Sequence, residues 1–189
     1  MSNDTHSPSD AEIKALAARI DRPVVLVGLM GVGKSTIGRK LAQLLDLPFA
    51  DADDEIEAAA QMPITEIFGQ FGEENFRDGE RRVIARLLDA GPSVLATGGG
   101  AFVQDETRAL ILRKGIAVWL DSDLPTLLER VGRKDTRPLL RGGDPAEILA
   151  RLKAEREPAY AQAPIHVASD SGPHGDTVNK ILRELETWP

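Results

Sequence analysis

The sequence predicts an α/β fold with a mostly parallel sheet covered by helices on both sides. Short apolar runs rich in Val and Ile alternate with longer segments of helical periodicity, and this alternation is typical of β-α-β units. Runs of four or five apolar residues favour strands buried on both faces, and helices of this length between them imply right-handed crossovers. The five runs are Val24–Val27, Leu47–Ala50, Val94–Ala96, Ile116–Leu120 and Ile165–Ala168.

The helices are predicted in the segments around these runs. Ahead of the first run, residues 1–8 are expected to form a disordered tail, and Ser9 with Glu12 forms a capping box that starts a short helix. This N-terminal segment, residues 1–22, precedes one domain predicted over residues 23–189. Ligands are expected beyond the carboxyl ends of the strands. The long helical stretches are Lys34–Leu45, Glu73–Ala90, Asp105–Arg113, Asp123–Val131 and Pro145–Ala159.

Composition excludes several kinds of chemistry. The 189 residues include no cysteine, which rules out disulfides, thiolate metal sites and cysteine nucleophiles. The net charge of −7 disfavours nonspecific binding to nucleic acid or to anionic membranes. No apolar run approaches the roughly 20 residues that span a bilayer, and the first dozen residues lack the pattern of a signal peptide. We expect a cytoplasmic protein, monomeric because no extended apolar patch is evident, whose partners are small molecules.

One motif predicts a site for a nucleoside triphosphate. The stretch Gly28-Leu-Met-Gly-Val-Gly-Lys34-Ser35 follows an apolar run and opens a helical segment, which is the context that a phosphate-binding P-loop requires. Its glycines let backbone N–H groups point into one concavity at a helix N-terminus. We expect Lys34 to reach the β- and γ-phosphates and to act in catalysis, and Ser35 to ligate Mg²⁺. The predicted nucleotide contacts are Gly31, Val32, Gly33, Lys34, Ser35 and Thr36.

Two carboxylates predict the reacting side of the site. The phosphate loop is shared by GTPase switches, ATPases and small-molecule kinases, so other residues must decide among them. Asp51 and Asp53 stand at the end of the second run, and if the chain is still extended there, both side chains face the nucleotide crevice. Asp51 would then hold the metal through water, and Asp53 would accept a hydrogen bond from an attacking hydroxyl. The alternative is that Asp53 only caps a helix that starts at Asp54.

An arginine and three glycines suggest a pocket for an acid. Arg77 and Glu80 share a helix face, where the arginine fork would match a carboxylate and the glutamate would hold the fork in place. The alternative is a solvated face of weak surface ion pairs. Gly98, Gly99 and Gly100 follow the third run and suit a ligand that approaches the backbone closely, or else a tight turn at the strand end.

A basic segment stands out in this acidic chain. The stretch from Arg130 to Arg141 contains five basic residues and one acidic residue, and glycines flank it. We expect a mobile lid at about residues 131–144, with a solvated loop as the alternative. A positive lid that closes on the nucleotide would stabilise the charge of a loose phosphoryl-transfer transition state.

Taken in order along the chain, these motifs resemble the shikimate kinases, from about Val24 to Ala168. The resemblance implies a three-layer P-loop kinase fold with a five-stranded parallel sheet and a mobile basic lid. It implies transfer of the ATP γ-phosphoryl group to the 3-hydroxyl of shikimate, with Mg²⁺, on the pathway to chorismate and the aromatic amino acids. The motifs are Gly28 to Ser35, Asp51-Ala-Asp53, Phe71 to Glu80, Gly98 to Gly100, Arg137-Pro-Leu-Leu140 and Glu155-Arg156-Glu-Pro-Ala-Tyr160.

The resemblance also implies roles for particular residues. Asp53 would contact the reacting hydroxyl, while Arg77 and Arg156 would grip the shikimate carboxylate. Arg137 would reach the transferring phosphate from the lid as a catalytic cation, and Arg130 would lie against the adenine. The loop that the family places around the base matches only weakly at residues 169–174. The glycines implied to line the substrate are Gly98, Gly99 and Gly100.

Two other functions stay open on the sequence. Paired arginines fit any carboxylate, so a kinase for another small hydroxy acid such as gluconate is the first alternative. A nucleotide-gated switch that binds a partner is the second, although a switch would need partner-facing loops where this chain has a cationic lid and two acceptor-site carboxylates.

Overall fold

A computed structural model describes residues 7–133 and 142–189 of the chain. Most of the predicted N-terminal tail, residues 1–6, lies outside the described part. So do residues 134–141, the central part of the predicted lid, and with them Arg137.

The centre of the molecule is a five-stranded sheet in which every pairing is parallel. The strands stand in the order β2-β3-β1-β4-β5, so the chain leaves β1 toward one side of the sheet and later returns to its other side. The carboxyl end of β1 is therefore the switch point at which ligands bind in open α/β sheets. The strands are β1 Val24–Val27, β2 Phe49–Asp51, β3 Val94–Ala96, β4 Ile116–Asp121 and β5 Ile165–Ala168.

Eight α-helices in the described part of the chain pack around this sheet. The first begins at a capping box formed by Ser9 and Glu12, as the sequence predicts, and buries Ile13 and Leu16 in the main core. Helix α2 begins and ends where the sequence predicts. The helices are α1 Asp10–Arg19, α2 Lys34–Leu45, α3 Ala52–Ala60, α4 Ile64–Asp89, α5 Asp105–Lys114, α6 Leu124–Gly132, α7 Pro145–Tyr160 and α8 His174–Thr187. The predicted α/β class with a five-stranded parallel sheet is confirmed.

Burial on both faces, predicted for all five strands, holds only for the inner ones. Strands β1 and β3 are buried throughout, whereas β5 alternates between buried and exposed residues and β2 is half-buried. The reason is position, since β2 and β5 form the two edges of the sheet. On the exposed face of β5, His166 stacks on Trp119 with ring centroids 4.0 Å apart.

Helix α4 is bent at Gly72, whose φ of 76° is outside the helical range. The bend explains why the sequence predicts a helix beginning at Glu73 and misses the turns before it. Those earlier turns pack with α3 around a small second core of Ile56, Ile67 and Phe76, apart from the main core. Helix α8 was not predicted either, and α3 was predicted only as an alternative, in the form of a helix that starts at Asp54. None of the helices in the described ranges is long and apolar enough to cross a bilayer.

Candidate active site

One cleft of about 1020 Å³ opens at the carboxyl ends of the strands. It brings together the phosphate loop, the two carboxylates after β2, the arginine and glutamate of α4, the glycine turn after β3, and the end of α6. Sequence reasoning predicted most of these residues separately, and the fold places them around one space. Predicted residues that line it include Gly31, Gly33, Lys34, Ser35, Thr36, Asp51, Asp53, Arg77, Glu80, Gly98, Gly99, Gly100, Arg130 and Arg156.

The phosphate loop curls between β1 and α2. Gly33 immediately precedes α2 with a φ of 96°, a left-handed conformation that favours glycine. The curl encloses Lys34, whose side chain is only 9% exposed. Its Nζ donates to the carbonyl oxygens of Gly28, at 2.6 Å, and Leu29, at 3.1 Å. The ammonium group therefore lies within the loop where a phosphate chain would bind.

Ser35 and Asp51 meet beside this loop, the hydroxyl donating to carboxylate atom Oδ2. The other oxygen, Oδ1, accepts the backbone N–H of Asp53 at 3.0 Å and so caps α3. A hydroxyl and a carboxylate next to a phosphate site fit Mg²⁺, which takes oxygen ligands and usually has one or two protein groups besides phosphate and water. Among the described residues there is no group of three or more carboxylates or histidines that could hold a metal ion. A Mg²⁺ ion bound mainly by phosphate and water does not need such a group.

Asp53 reaches the cleft from a helix rather than from extended chain. Strand β2 ends at Asp51 and α3 begins at Ala52, so the predicted alternation of two extended carboxylates is wrong. The capping alternative is also wrong, because Asp51 is the capping residue. Burial raises the pKa of the Asp53 carboxyl and the nearby Asp51 raises it further, while Lys34 opposes the rise.

Arg77 and Glu80 form an ion pair on α4 in which the glutamate is buried and the arginine is half-buried. Arg77 Nη1 lies 2.7 Å from Glu80 Oε1, and the Glu80 side chain is 1% exposed, which does not fit a solvated face. Burial raises the pKa of Glu80, and the positive charge of Arg77 opposes the rise. Arg77 Nε and Arg156 Nη1 are buried without a hydrogen-bond partner among the described residues. Two half-buried guanidinium groups, each with a buried N–H that makes no hydrogen bond, are well suited to an anionic ligand.

Each of the three glycines after β3 lies against a different charged group. A Cβ atom at Gly98 would stand 2.8 Å from Asp53 Oδ1, and one at Gly99 would stand 3.2 Å from Arg156 Nη1. At Gly100 it would collide with the guanidinium of Arg77. Space, rather than backbone conformation, favours glycine here, because an added Cβ would force one of these side chains to shift.

Arg130 joins the far end of the cleft to the loop after β5. It donates to the carbonyls of Val32, at 3.1 Å, and Asp170, at 2.7 Å. Sequence reasoning missed the neighbouring His174, whose Nδ1 is buried without a hydrogen-bond partner in the described structure. Burial lowers the pKa of His174, and Arg130 and Lys40 lower it further.

Other lining residues belong to the stretch 169–174, which the resemblance matched only weakly to a loop around the base. Ser171, Gly172 and Pro173 follow the carboxyl end of β5 and line the cleft, and that position was a further signal for them. One wall of the cleft is apolar, and no local pattern in the sequence predicts it, because aromatic residues on a helix are equally typical of the hydrophobic core. It includes Phe68 and Phe76.

A phosphate loop that shares one cleft with a carboxylate and with two arginines, each of which has a buried N–H without a hydrogen-bond partner, defines a P-loop kinase for a small acidic molecule. The family model for shikimate kinase matches residues 30–186. The shikimate kinase of Novosphingobium aromaticivorans is 63% identical over 192 residues, which cover 100% of both chains. The chain therefore belongs to the shikimate kinase family.

Solved structures agree with this assignment. A shikimate kinase from Acinetobacter baumannii, in complex with shikimate, superimposes with a TM-score of 0.85 and 37% sequence identity, covering 92% of this chain and 96% of that one. A gluconokinase from Sinorhizobium meliloti gives a TM-score of 0.59 at 18% identity, covering 86% of this chain and 90% of the other. The second similarity shows the shared fold alone.

Proposed function

We propose that this protein transfers the γ-phosphoryl group of ATP to the 3-hydroxyl of shikimate, giving shikimate 3-phosphate and ADP. The observation that carries the proposal is a pair of buried arginine nitrogens that make no hydrogen bond, Arg77 Nε and Arg156 Nη1, on the acceptor side of the cleft. The exposed Glu73 pairs with Arg77 Nε only at 3.6 Å. Membership of the shikimate kinase family supports the choice of acid. The product would serve the synthesis of chorismate and the aromatic amino acids.

The nucleotide side would hold the triphosphate and its charge. Lys34 and the amides of residues 31–36 would bind the phosphates, with Lys34 stabilising charge as the γ-phosphoryl group leaves. Mg²⁺, held by Ser35 directly and by Asp51 through water, would neutralise phosphate charge. Because the transition state is loose, positioning and charge stabilisation supply most of the catalysis.

The acceptor side would orient shikimate for attack. Arg77 and Arg156 would bind its carboxylate, and Glu80 would keep the Arg77 fork in place through the 2.7 Å contact. The hydroxyl would then lie near Asp53, whose carboxylate accepts its proton or holds it until late in the transfer. Gly98, Gly99 and Gly100 would let the ring approach the backbone closely.

The remaining predictions are part of the same proposal. Arg130 would lie against adenine, and Arg137, outside the described residues, would reach the transferring phosphate from a lid at about residues 131–144. Residues 1–22 would precede a single catalytic domain over residues 23–189, active as a monomer because the cleft is built within one chain. A reaction that consumes ATP also fits the cytoplasm.

A coupled assay of ADP release tests the proposal directly. The purified protein is supplied with ATP and Mg²⁺, and with shikimate, gluconate or no acid. We expect turnover with shikimate that is far above the rate with gluconate or water. Turnover only with gluconate would indicate the other kinase, and a slow rate that neither acid changes would indicate a nucleotide switch.

The role of Arg77 can be tested with a matched arginine one turn further along α4. Arg77→Lys keeps a positive charge for the buried Glu80 but loses the planar fork, so we expect KM for shikimate to rise about 10- to 100-fold while KM for ATP stays unchanged. Arg81 is more exposed and pairs with Asp78 and Glu106. Arg81→Lys is expected to leave both KM values within about twofold, because exposed ion pairs contribute little. Equal KM values for shikimate in the two variants would contradict the role.

A further inference from the structure

Tyr160 ends helix α7 and does not line the cleft, yet it contacts residues that do. Its side chain is 2% exposed, and its hydroxyl donates to the carbonyl oxygen of Gly99 at 2.5 Å. Gly99 is the middle residue of the glycine turn and lies against Arg156 Nη1. One buried hydroxyl therefore holds the part of the turn on which an arginine of the acceptor pocket rests.

Tyr160 also lies beside Arg156, because both residues are on helix α7. The two residues are four positions apart on α7 and so share one face. Burial raises the pKa of the Tyr160 phenol, and the charge of Arg156 opposes the rise. With its pKa above the ordinary value, the phenol stays a neutral donor near neutral pH. A phenolate would instead attract the guanidinium and compete with the carboxylate of a ligand.

The ring of Tyr160 is fixed from behind by the sheet. The Trp119 ring of β4 packs beside it with centroids 6.1 Å apart and planes inclined by 32°. A side chain that is buried and packed, with its hydroxyl bonded to the Gly99 carbonyl, has little freedom to move that hydroxyl. The contact joins residues 61 positions apart in the chain, so it sets the distance between α7 and the turn after β3.

We propose that Tyr160 is a positioning residue of the acceptor pocket: its hydroxyl fixes the Gly99 carbonyl and keeps Arg156 oriented toward the acid. The inference rests on the proposed function and adds to it a residue that touches no substrate. A hydroxyl that donates to the Gly99 carbonyl keeps its lone pairs as acceptors, and the side chain of Arg156 interacts with it.

Tyr160→Phe removes one oxygen atom and tests the inference. Without its donor the Gly99 carbonyl is left unsatisfied and the turn relaxes, so we expect KM for shikimate to rise about 5- to 30-fold with KM for ATP unchanged. Trp188→Phe is the control, because Trp188 packs against the main core and does not line the cleft. That variant is expected to retain KM for shikimate within about twofold.

A double-mutant cycle separates positioning from general destabilisation. If the hydroxyl acts through Arg156, Tyr160→Phe should raise KM for shikimate much less in an Arg156→Lys background than in the wild type. Effects that multiply independently, or equal changes in the two KM values, would overturn the inference. A wild-type protein that does not phosphorylate shikimate would instead overturn the proposed function, and the inference with it.

A second measurement leaves the hydroxyl in place and does not depend on the folding of a variant. The chain contains a single tyrosine, so protein produced with 3-fluorotyrosine carries fluorine at position 160 alone. We expect saturating shikimate to shift the ¹⁹F resonance more than ATP does, because the acid binds against the turn that this hydroxyl holds. A resonance that shikimate leaves in place would overturn the inference.

Discussion

Replacing Asp53 by asparagine is expected to lower kcat with shikimate by about 10²- to 10⁴-fold, the range typical of a lost general base. The amide keeps the size and the helical position of the side chain but cannot take the proton of the hydroxyl. Burial, with help from Asp51, raises the pKa of Asp53. The acid limb of the wild-type kcat/KM profile should therefore lie above the ordinary aspartate value of about 3.9, with activity lost as the pH falls through it.

The adjacent Asp54 offers a matched control for this experiment. It stands next to Asp53 on the first turn of α3 but is exposed. Asp54→Asn is expected to keep kcat within about twofold and to retain the acid limb, since surface substitutions seldom have large effects. Steady-state rates from pH 4 to pH 9 for the three proteins decide the matter. Near-normal turnover of Asp53→Asn would mean that this carboxylate only shapes the pocket.

Lys34→Met is expected to reduce kcat by about 10²- to 10³-fold, as observed when one preorganised donor to a charged transition state is removed. Methionine fills a similar volume without the charge. The ammonium group of Lys34 is held by the carbonyls of Gly28 and Leu29, so it is in position before a nucleotide arrives. KM for ATP should rise as well, because the same group would contact bound phosphate.

Lys40 provides the comparison for this second variant. It lies on the same helix as Lys34, and its side chain is exposed. Lys40→Met removes an equal charge from α2, so a general electrostatic effect would slow both variants alike. We expect only Lys34→Met to lose turnover, measured as ADP release at saturating ATP and shikimate. Comparable losses in the two proteins would refute a specific role for Lys34.

Apolar runs and helical periodicity in the sequence predicted those strands and helices whose formation depends mainly on neighbouring residues. Strand β1 and helix α2 match their predicted bounds because one is an uninterrupted apolar run and the other has a clear helical period. Helix α3 was predicted only as an alternative that starts at Asp54. The segment Ala52–Ala60 carries one large apolar residue, Ile56, so it shows no clear helical periodicity. The exposed face of β5 depends on the order of the strands, and a single segment does not contain that information.

In the candidate site, too, the features set by neighbouring residues were predicted, and those set by tertiary packing were not. The phosphate loop was predicted because its spacing is a local requirement of phosphate binding. Asp53 was predicted as a site residue, but in extended chain rather than in a helix. The sequence Asp51-Ala-Asp53 does not indicate the residue at which the short strand ends. The contact between Tyr160 and Gly99 depends on tertiary packing. So does the position of His174 at the edge of the cleft.

The glycine turn also limits how the pocket can be redesigned. At residues 98, 99 and 100 the first carbon of any side chain would intrude on Asp53, Arg156 and Arg77 respectively. Each added methyl group would thus make a different charged side chain of the site shift, so a substitution at this turn would change the pocket through Asp53, Arg156 or Arg77. Bulkier acids would be accommodated more readily at the aromatic wall by truncating Phe68, since the ring of Phe76 lies 5.1 Å from the guanidinium of Arg77.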